Sequence, residues 1–367
     1  MRVLSFMNSY SYGLSGSDVV LIRIAPQVFK DFNQTVITSR MGRLVCEKND
    51  FTPNFIVTTK EERFKSIIWT YIKRIFLASL SVLREPIPNI CFASSDFLPD
   101  VFPCFLLKLK NPDTLWVQHI YHSIPRQRVI PFLAQRISFI LIRFLADKVV
   151  VDNKILKQDL IEMGFKPSRL YLNYPGLDFE KFENLPEPKK EYTASFIAQL
   201  RRSKGVLDLP EIWAHVVKDF PDANLAIIGS GTKELLEELK QRILFLDLQE
   251  NIDVLGFLPN KEAFSIIKDS DVFVFPSYEE GFGLAPLEAQ ACGTPVVARD
   301  LPVYEEIFPE GMVKASLGDY RGFWQAVLEV LVDPRLADDL VEACHVNSAL
   351  FSWSKTISRE KEILELA

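Results

Sequence analysis

Short apolar runs recur along the chain between clusters of Gly, Pro, Asn and Asp, and longer segments of mixed polarity separate them. In the second half the order is regular: the spacing predicts strands over 193–198, 224–228, 252–255, 271–276 and 295–298, with helices starting at Val206, Thr232 and Lys261. The first half opens the same way. A strand over 2–6 runs into a loop holding Gly13 and Gly16, a helix follows from Asp18, and further strands are expected near 35–38, 90–93, 115–118 and 148–151. Strands that alternate with helices and read as near-continuous apolar runs imply parallel sheets covered on both faces, hence an α/β chain of two doubly wound halves. Between 176 and 191 Pro and charged residues replace the periodic hydrophobics, so this stretch is expected to be the linker between domains at 1–175 and 192–350. The closing stretch 351–367 reads as a helix begun by Ser352 or Ser354 and carrying Trp353.

Composition narrows the class. The 367 residues are 48% hydrophobic, enough for two cores rather than one oversized core. Charge is divided unevenly, about +7 over 1–186 and about −13 over 187–367, so the first half is expected to face something anionic. No basic stripe suggests nucleic acid as a partner. The five cysteines (46, 91, 104, 292, 344) lie far apart and suit reduced core positions of a cytoplasmic protein. Four histidines without HExxH or CxxC spacing give no reason to expect a metal. The start turns polar after six residues, too soon for a signal peptide, and no run of 18 apolar residues lacks a charge.

The window 278–299, YEEGFGLAPLEAQACGTPVVAR, concentrates the candidate chemistry. It leaves a buried strand through a loop with Glu280, Gly281 and Gly283, enters a helix whose first turn suits Pro286, and stops at Gly293. Both glutamates therefore lie at the carboxyl end of a parallel strand, where open α/β sheets bind ligands. A carboxylate accepts two hydrogen bonds from vicinal hydroxyls, so Glu288 can hold a diol such as a ribose and Glu280 another. The amides around Phe282, Gly283 and Leu284 lack intrahelical partners and offer donors to an anion or a sugar oxygen. The bland reading is a glycine turn followed by a helix start that favours acidic residues.

Six motifs carry a resemblance over nearly the whole chain: EGFGLAPLE (280–288), EAQACGTPVVA (288–298), LAIIGSGT (225–232), LRRSKG (200–205), VLGFLPNKE (254–262) and LNYPGLDFEKF (172–182). The chain resembles the retaining nucleotide-sugar glycosyltransferases of the GT-B fold, in the large family 4 (glycosyl transferases group 1). That resemblance implies two Rossmann-like domains facing a cleft, with the terminal helix returning to the first. It also implies that Glu280 touches the donor sugar and Glu288 the nucleotide ribose, while Phe282, Gly283 and Leu284 offer amides. Lys204, helped by Arg202, would meet the diphosphate as its charge grows. Gly229 would let the backbone approach the donor, although a tight turn explains it almost as well, and Leu258 would hold the base through main-chain atoms. Gly16 matches the second glycine of a phosphate and acceptor loop, with Ser15 in place of the first; Ser15 is also a natural N-cap. His119, just past a strand, would face the reacting centre, with His122 as its rival. Where relatives carry an arginine five residues before the lysine this chain has Gln199, a neutral donor.

The implied reaction moves a hexosyl group from a nucleotide-diphosphate sugar to a hydroxyl of a glycan, lipid-linked or small-molecule acceptor, with retention and without cofactor or metal. The alternatives are a sugar-nucleotide binder that has lost turnover and an epimerase of the same fold. Segments 63–84 and 130–146 are apolar and basic, with Arg63, Lys65, Lys73, Arg74, Arg136 and Arg143, so peripheral contact with an anionic membrane is weighed against ordinary helix packing.

Overall fold

The computed structural model describes residues 1–8, 15–61, 66–187, 189 and 191–365. Gly13, Arg63 and Lys65 lie outside the described residues. The chain divides into two compact units, residues up to Gly176 together with the terminal segment from Trp353, and Leu177–Ser352.

The first unit alternates β1 (Arg2–Met7), α1 (Gly16–Val28), β2 (Asn33–Thr38), α2 (Arg40–Lys48), β3 (Asn54–Val57), α3 (Ile67–Arg84), β4 (Ile90–Ala93), α4 (Leu98–Lys110), β5 (Leu115–Ile120), α5 (Val129–Leu145), β6 (Lys148–Val151), α6 (Lys154–Glu162) and β7 (Leu170–Leu172). Its seven strands are parallel in the order β3-β2-β1-β4-β5-β6-β7. The second unit runs β8 (Ala194–Ile197), α7 (Leu209–Asp219), β9 (Leu225–Ile228), α8 (Lys233–Phe245), β10 (Ile252–Gly256), α9 (Asn260–Lys268), β11 (Val272–Phe275), α10 (Leu284–Ala291), β12 (Val296–Arg299), α11 (Val303–Ile307), β13 (Met312–Ala315), α12 (Tyr320–Val332) and α13 (Pro334–Ser348). Its six strands are parallel in the order β10-β9-β8-β11-β12-β13. The last helix, α14 (Trp353–Glu365), packs on α1 in the first unit.

Each order reverses direction once. In the second sheet the chain builds outward from β8 to β10, then returns to the other side of β8 to lay down β11, β12 and β13. The loops after β8 and β11 therefore emerge side by side at the carboxyl edge, which is the ligand-binding crevice of such sheets. In the first sheet the same reversal lies between β1 and β4.

Several expectations need correction. The stretch from Leu177 is not a free linker but part of the second unit: its turn Phe179–Phe182 packs on α9, with the Phe182 and Phe264 rings 4.9 Å apart, and Ser265 Oγ donates to the Pro186 carbonyl. The helix expected from Val206 starts at Leu209, because the chain first makes a 3-10 turn over Arg202–Lys204 closed by Gly205 in the left-handed region. The short strands β3, β7 and β13 were not anticipated. Trp353 packs against the apolar layer of the first unit.

Candidate functional site

The second unit gathers the candidates at its reversal point. The turn Arg202–Lys204 follows β8, and the loop bearing Glu280 follows β11. The Tyr278 amide donates to the Ser203 carbonyl at 2.8 Å, lacing the two loops together. Gly205 is required there, since at φ +70° a Cβ would sit 2.0 Å from the Pro276 carbonyl oxygen. This backbone lock presents the Lys204 ammonium to Glu280 Oε1 at 2.6 Å and over the Phe275 ring at 5.9 Å. Gly283, at φ +100°, closes the loop as N-cap of α10; a Cβ there would press on the rings of Tyr304 and Phe308 at 3.0 Å. A glycine N-cap brings no side chain to the first-turn amides, so those of Gly283 and Leu284 depend on another acceptor. Phe282 is buried, its ring packed edge-on against Phe351 at 5.6 Å.

Glu288 lies in the middle of this eight-residue helix. It is half-buried, and withdrawal from water pushes its carboxyl from the ordinary 4.5 up to about 7, against the pull of the Lys181 ammonium. Holding a proton near neutrality, the group awaits partners that favour its ionised form, and two donating hydroxyls would be such partners.

Beneath the loops lies a polar knot that the sequence did not announce. Arg299, at the end of β12, is fully buried; its Nη2 donates to Asp208 Oδ2 at 2.8 Å and its Nε to the Pro276 carbonyl at 3.1 Å. The Tyr278 hydroxyl donates to Asp208 Oδ2 at 2.6 Å and the Tyr320 hydroxyl to Oδ1 at 2.9 Å, with the guanidinium 4.4 Å and 5.2 Å from their ring centres. Pro276 and Tyr278 flank the exit of β11, so the knot fixes the angle at which the Glu280 loop leaves the sheet. Lys181 and these four residues were missed; a buried Arg at a strand end was their one signal.

Three candidates are reassigned. Arg202 is mostly exposed and turns to Glu238 on α8, not to Lys204, and Arg201 donates to Gln199 Oε1. The Gly229 N–H donates to the Gly256 carbonyl at 2.8 Å, and a Cβ there would lie 1.8 Å from the Ala198 carbonyl oxygen, so the glycine answers to packing between strands. His119 is enclosed: Nε2 meets Glu360 Oε1 of α14 at 3.0 Å, Nδ1 meets the Tyr121 hydroxyl at 3.2 Å, and the ring lies 4.8 Å from that of Phe92. Strand alternation is the reason, since Trp116 and Ile120 face one apolar layer while Val117 and His119 face the layer that α14 completes. Asn173 Nδ2 also donates to Glu360, at 2.8 Å, so His119 belongs to a tie that holds the terminal helix. The rival, His122, is exposed and near Asp96, whose pKa burial raises against the pull of His122 and of a 2.6 Å hydrogen bond from Gln135. Leu258 packs beside the small cluster of Ala226, Ile228 and Ala263. Gly16 is exposed as the first residue of α1, behind a capping box in which Ser15 and Asp18 bond one another, as the N-cap reading of Ser15 required.

Among the described residues no group of three or more His, Cys, Asp or Glu is placed to hold a metal ion, and no helix is long and apolar enough to cross a membrane.

Residues 178–344 match the family model for glycosyl transferases group 1. The chain is 28% identical over 243 residues to a D-inositol 3-phosphate glycosyltransferase of Corynebacterium jeikeium, a match covering 60% of this chain and 57% of that one. It spans a little over half the length of the curated relatives it matches. Among solved structures it superposes on Anabaena HepE in complex with UDP and glucose with a TM-score of 0.82 at 16% identity, covering all of both chains. Sucrose-phosphate synthase from Thermosynechococcus elongatus gives 0.77 at 16% identity, covering 100% of this chain and 98% of that one. The fold is GT-B.

Proposed function

We propose that the chain, whose residues 178–344 match the family model for glycosyl transferases group 1, moves a hexosyl group from a nucleotide-diphosphate sugar to an acceptor hydroxyl with retention at the anomeric carbon. The observation that carries the reading is the Lys204–Glu280 pair at the reversal point of the second sheet, with Glu288 on the helix that follows. Glu288 takes the ribose diol, Glu280 a sugar hydroxyl, and Lys204 with the first-turn amides of α10 takes the diphosphate. As the glycosidic bond breaks, negative charge grows on the leaving diphosphate, where a preorganised ammonium stabilises it most. The acceptor oxygen attacks from the face the diphosphate leaves, and the departing phosphate oxygen receives the acceptor proton. Gln199 leaves Lys204 as the cation of this turn that faces Glu280, which concentrates the electrostatic demand on one residue. The positive field comes from these groups, so chelation of divalent ions is expected to leave the rate unchanged.

The test begins with thermal-shift screening against UDP-, GDP-, ADP- and CDP-sugars, followed by donor consumption with and without glycan and lipid-linked acceptors. Consumption that needs an acceptor supports transfer, binding without loss indicates a sugar-nucleotide binder, and a changed sugar without acceptor indicates an epimerase. Lys204→Met is expected to lower kcat by about 100- to 1000-fold; a rate within a few-fold of the parent refutes its assignment.

A further inference from the structure

We propose that the outward face of the α3–α4–α5 layer seats the protein on an anionic membrane surface. These helices pack side by side on one face of the first sheet, sending Ala78 and Val82, Val101 and Cys104, and Phe139 and Ile142 into the same apolar layer. Their opposite sides therefore look outward together.

What they show outward is apolar. On α5 the exposed residues Ile130, Leu133, Ile137, Ile140 and Phe144 recur at alternating spacings of three and four, while its buried side includes Gln135 and Ser138. With Phe139 and Ile142 in the core as well, α5 is apolar on both sides, unlike an ordinary surface helix, whose outward side is polar. On α3 Trp69, Ile72, Phe76 and Leu83 follow at spacings of three, four and seven, which also keep to one side of a helix, and Phe76 and Phe144 are 65% and 64% exposed. Contiguous apolar surface of this kind marks an interaction site.

Charge selects the occupant. Segments 67–84 and 129–145 contain no Asp or Glu, and the one acid of α4, Asp100, is buried. Arg84, Lys110 and Arg126 are exposed cations around the layer, and Arg136 and Arg143 lie over the Phe132 and Phe144 rings at 4.8 Å and 5.1 Å. Their stems cover apolar surface while their heads turn to Met163, Arg136 Nη1 to its sulfur at 2.7 Å and Arg143 Nη1 to its carbonyl at 2.9 Å, so Arg84, Lys110 and Arg126 are the cations left to meet the headgroups. A twofold contact between copies would set this face against itself, cation facing cation. An anionic bilayer supplies the opposite charge and takes the apolar seam below its headgroups. None of these helices is long and apolar enough to cross, so the face lies on the surface.

The test uses flotation of the full chain with phosphatidylcholine vesicles, alone or with added phosphatidylglycerol. Flotation is expected with the anionic vesicles, weakening as salt is raised, together with quenching of Trp69 by brominated acyl chains that is lost in Trp69→Phe. Replacing Ile137→Ser and Phe144→Ser together, at positions already exposed, is expected to leave the melting temperature unchanged and to lower partitioning at least about tenfold. Arg126→Glu is expected to weaken binding to anionic vesicles and not to neutral ones. The proposal is overturned if the protein floats with neither vesicle, if binding ignores charge and salt, or if the Ile137/Phe144 variant turns a dimer into a monomer without changing flotation.

Discussion

Replacing Glu288→Gln is expected to make the unliganded protein more stable and the donor-binding protein worse. Burial holds the Glu288 carboxyl at about 7 against an ordinary 4.5. Between those two pH values the unfolded chain has lost a proton that the folded chain keeps. Stability therefore falls as pH rises through this window, by up to about 3 kcal/mol; the penalty is absent below pH 4.5 and complete above pH 7. Because Glu288 is half-buried rather than fully enclosed, contact with water reduces the figure toward about 2 kcal/mol. The glutamine variant lacks the penalty. At pH 8 its melting temperature is expected to exceed the parent's by about 4–8 °C, with the difference vanishing near pH 4.5. A diol binds the ionised carboxylate, so parent affinity for a nucleoside diphosphate such as UDP is expected to fall about 30-fold between pH 8 and pH 5.5. Calorimetry on both proteins in the same buffers removes the titration of the nucleotide itself, because Glu288→Gln carries that part alone. Parallel affinity profiles for parent and variant, or a variant less stable at pH 8, would refute the reasoning.

Three further outcomes follow from the geometry. Asp208→Ala leaves the fully buried Arg299 without its carboxylate and is expected to cost about 3–5 kcal/mol in denaturant unfolding; adding Arg299→Met should recover most of that loss, and an additive double variant would show the knot to be no unit. His119→Leu removes one partner of the buried Glu360 and is expected to cost about 1–3 kcal/mol and speed hydrogen exchange in α14 while leaving KM for the donor unchanged; a selective loss of kcat would restore a catalytic role. Gly205→Ala forces a Cβ against Pro276 at a left-handed φ and is expected to cost about 1–3 kcal/mol and weaken nucleotide binding, with normal binding counting against the lock between the two loops.

Much of the second sheet was legible because its strands are buried on both faces and its turns are punctuated by Gly and Pro. Strands at 225–228, 272–275 and 296–299 fall where continuous apolar runs predict them. Of the edge strands β10 was legible, but β3, exposed at both ends, and β13, buried only at its ends, were not, since neither has the run that marks a central strand. Segment 176–191 misled for a related reason, since a proline-rich stretch can pack through a few aromatics, here Phe182 on Phe264, without showing a period. Arg202, two residues before Lys204, was expected to help it at the diphosphate; the turn sends Arg202 to Glu238 and Lys204 to Glu280.

The sequence by itself determined the local pieces: the alternation of strands and helices, the glycines that allow sharp exits from strands, and the two glutamates spaced across a helix start. These depend on dihedral preferences and on periodicities of two and 3.6 residues, which neighbours along the chain settle. Only the tertiary structure decided who meets whom. Lys204 and Glu280 stand 76 positions apart and touch because the sheet reverses between β8 and β11. His119 and Glu360 stand 241 apart and touch because the terminal helix covers the face toward which that residue of β5 points. Strand order and helix placement are collective choices about burying apolar area, and a pKa such as that of Glu288 is set by whatever those choices leave around the carboxyl.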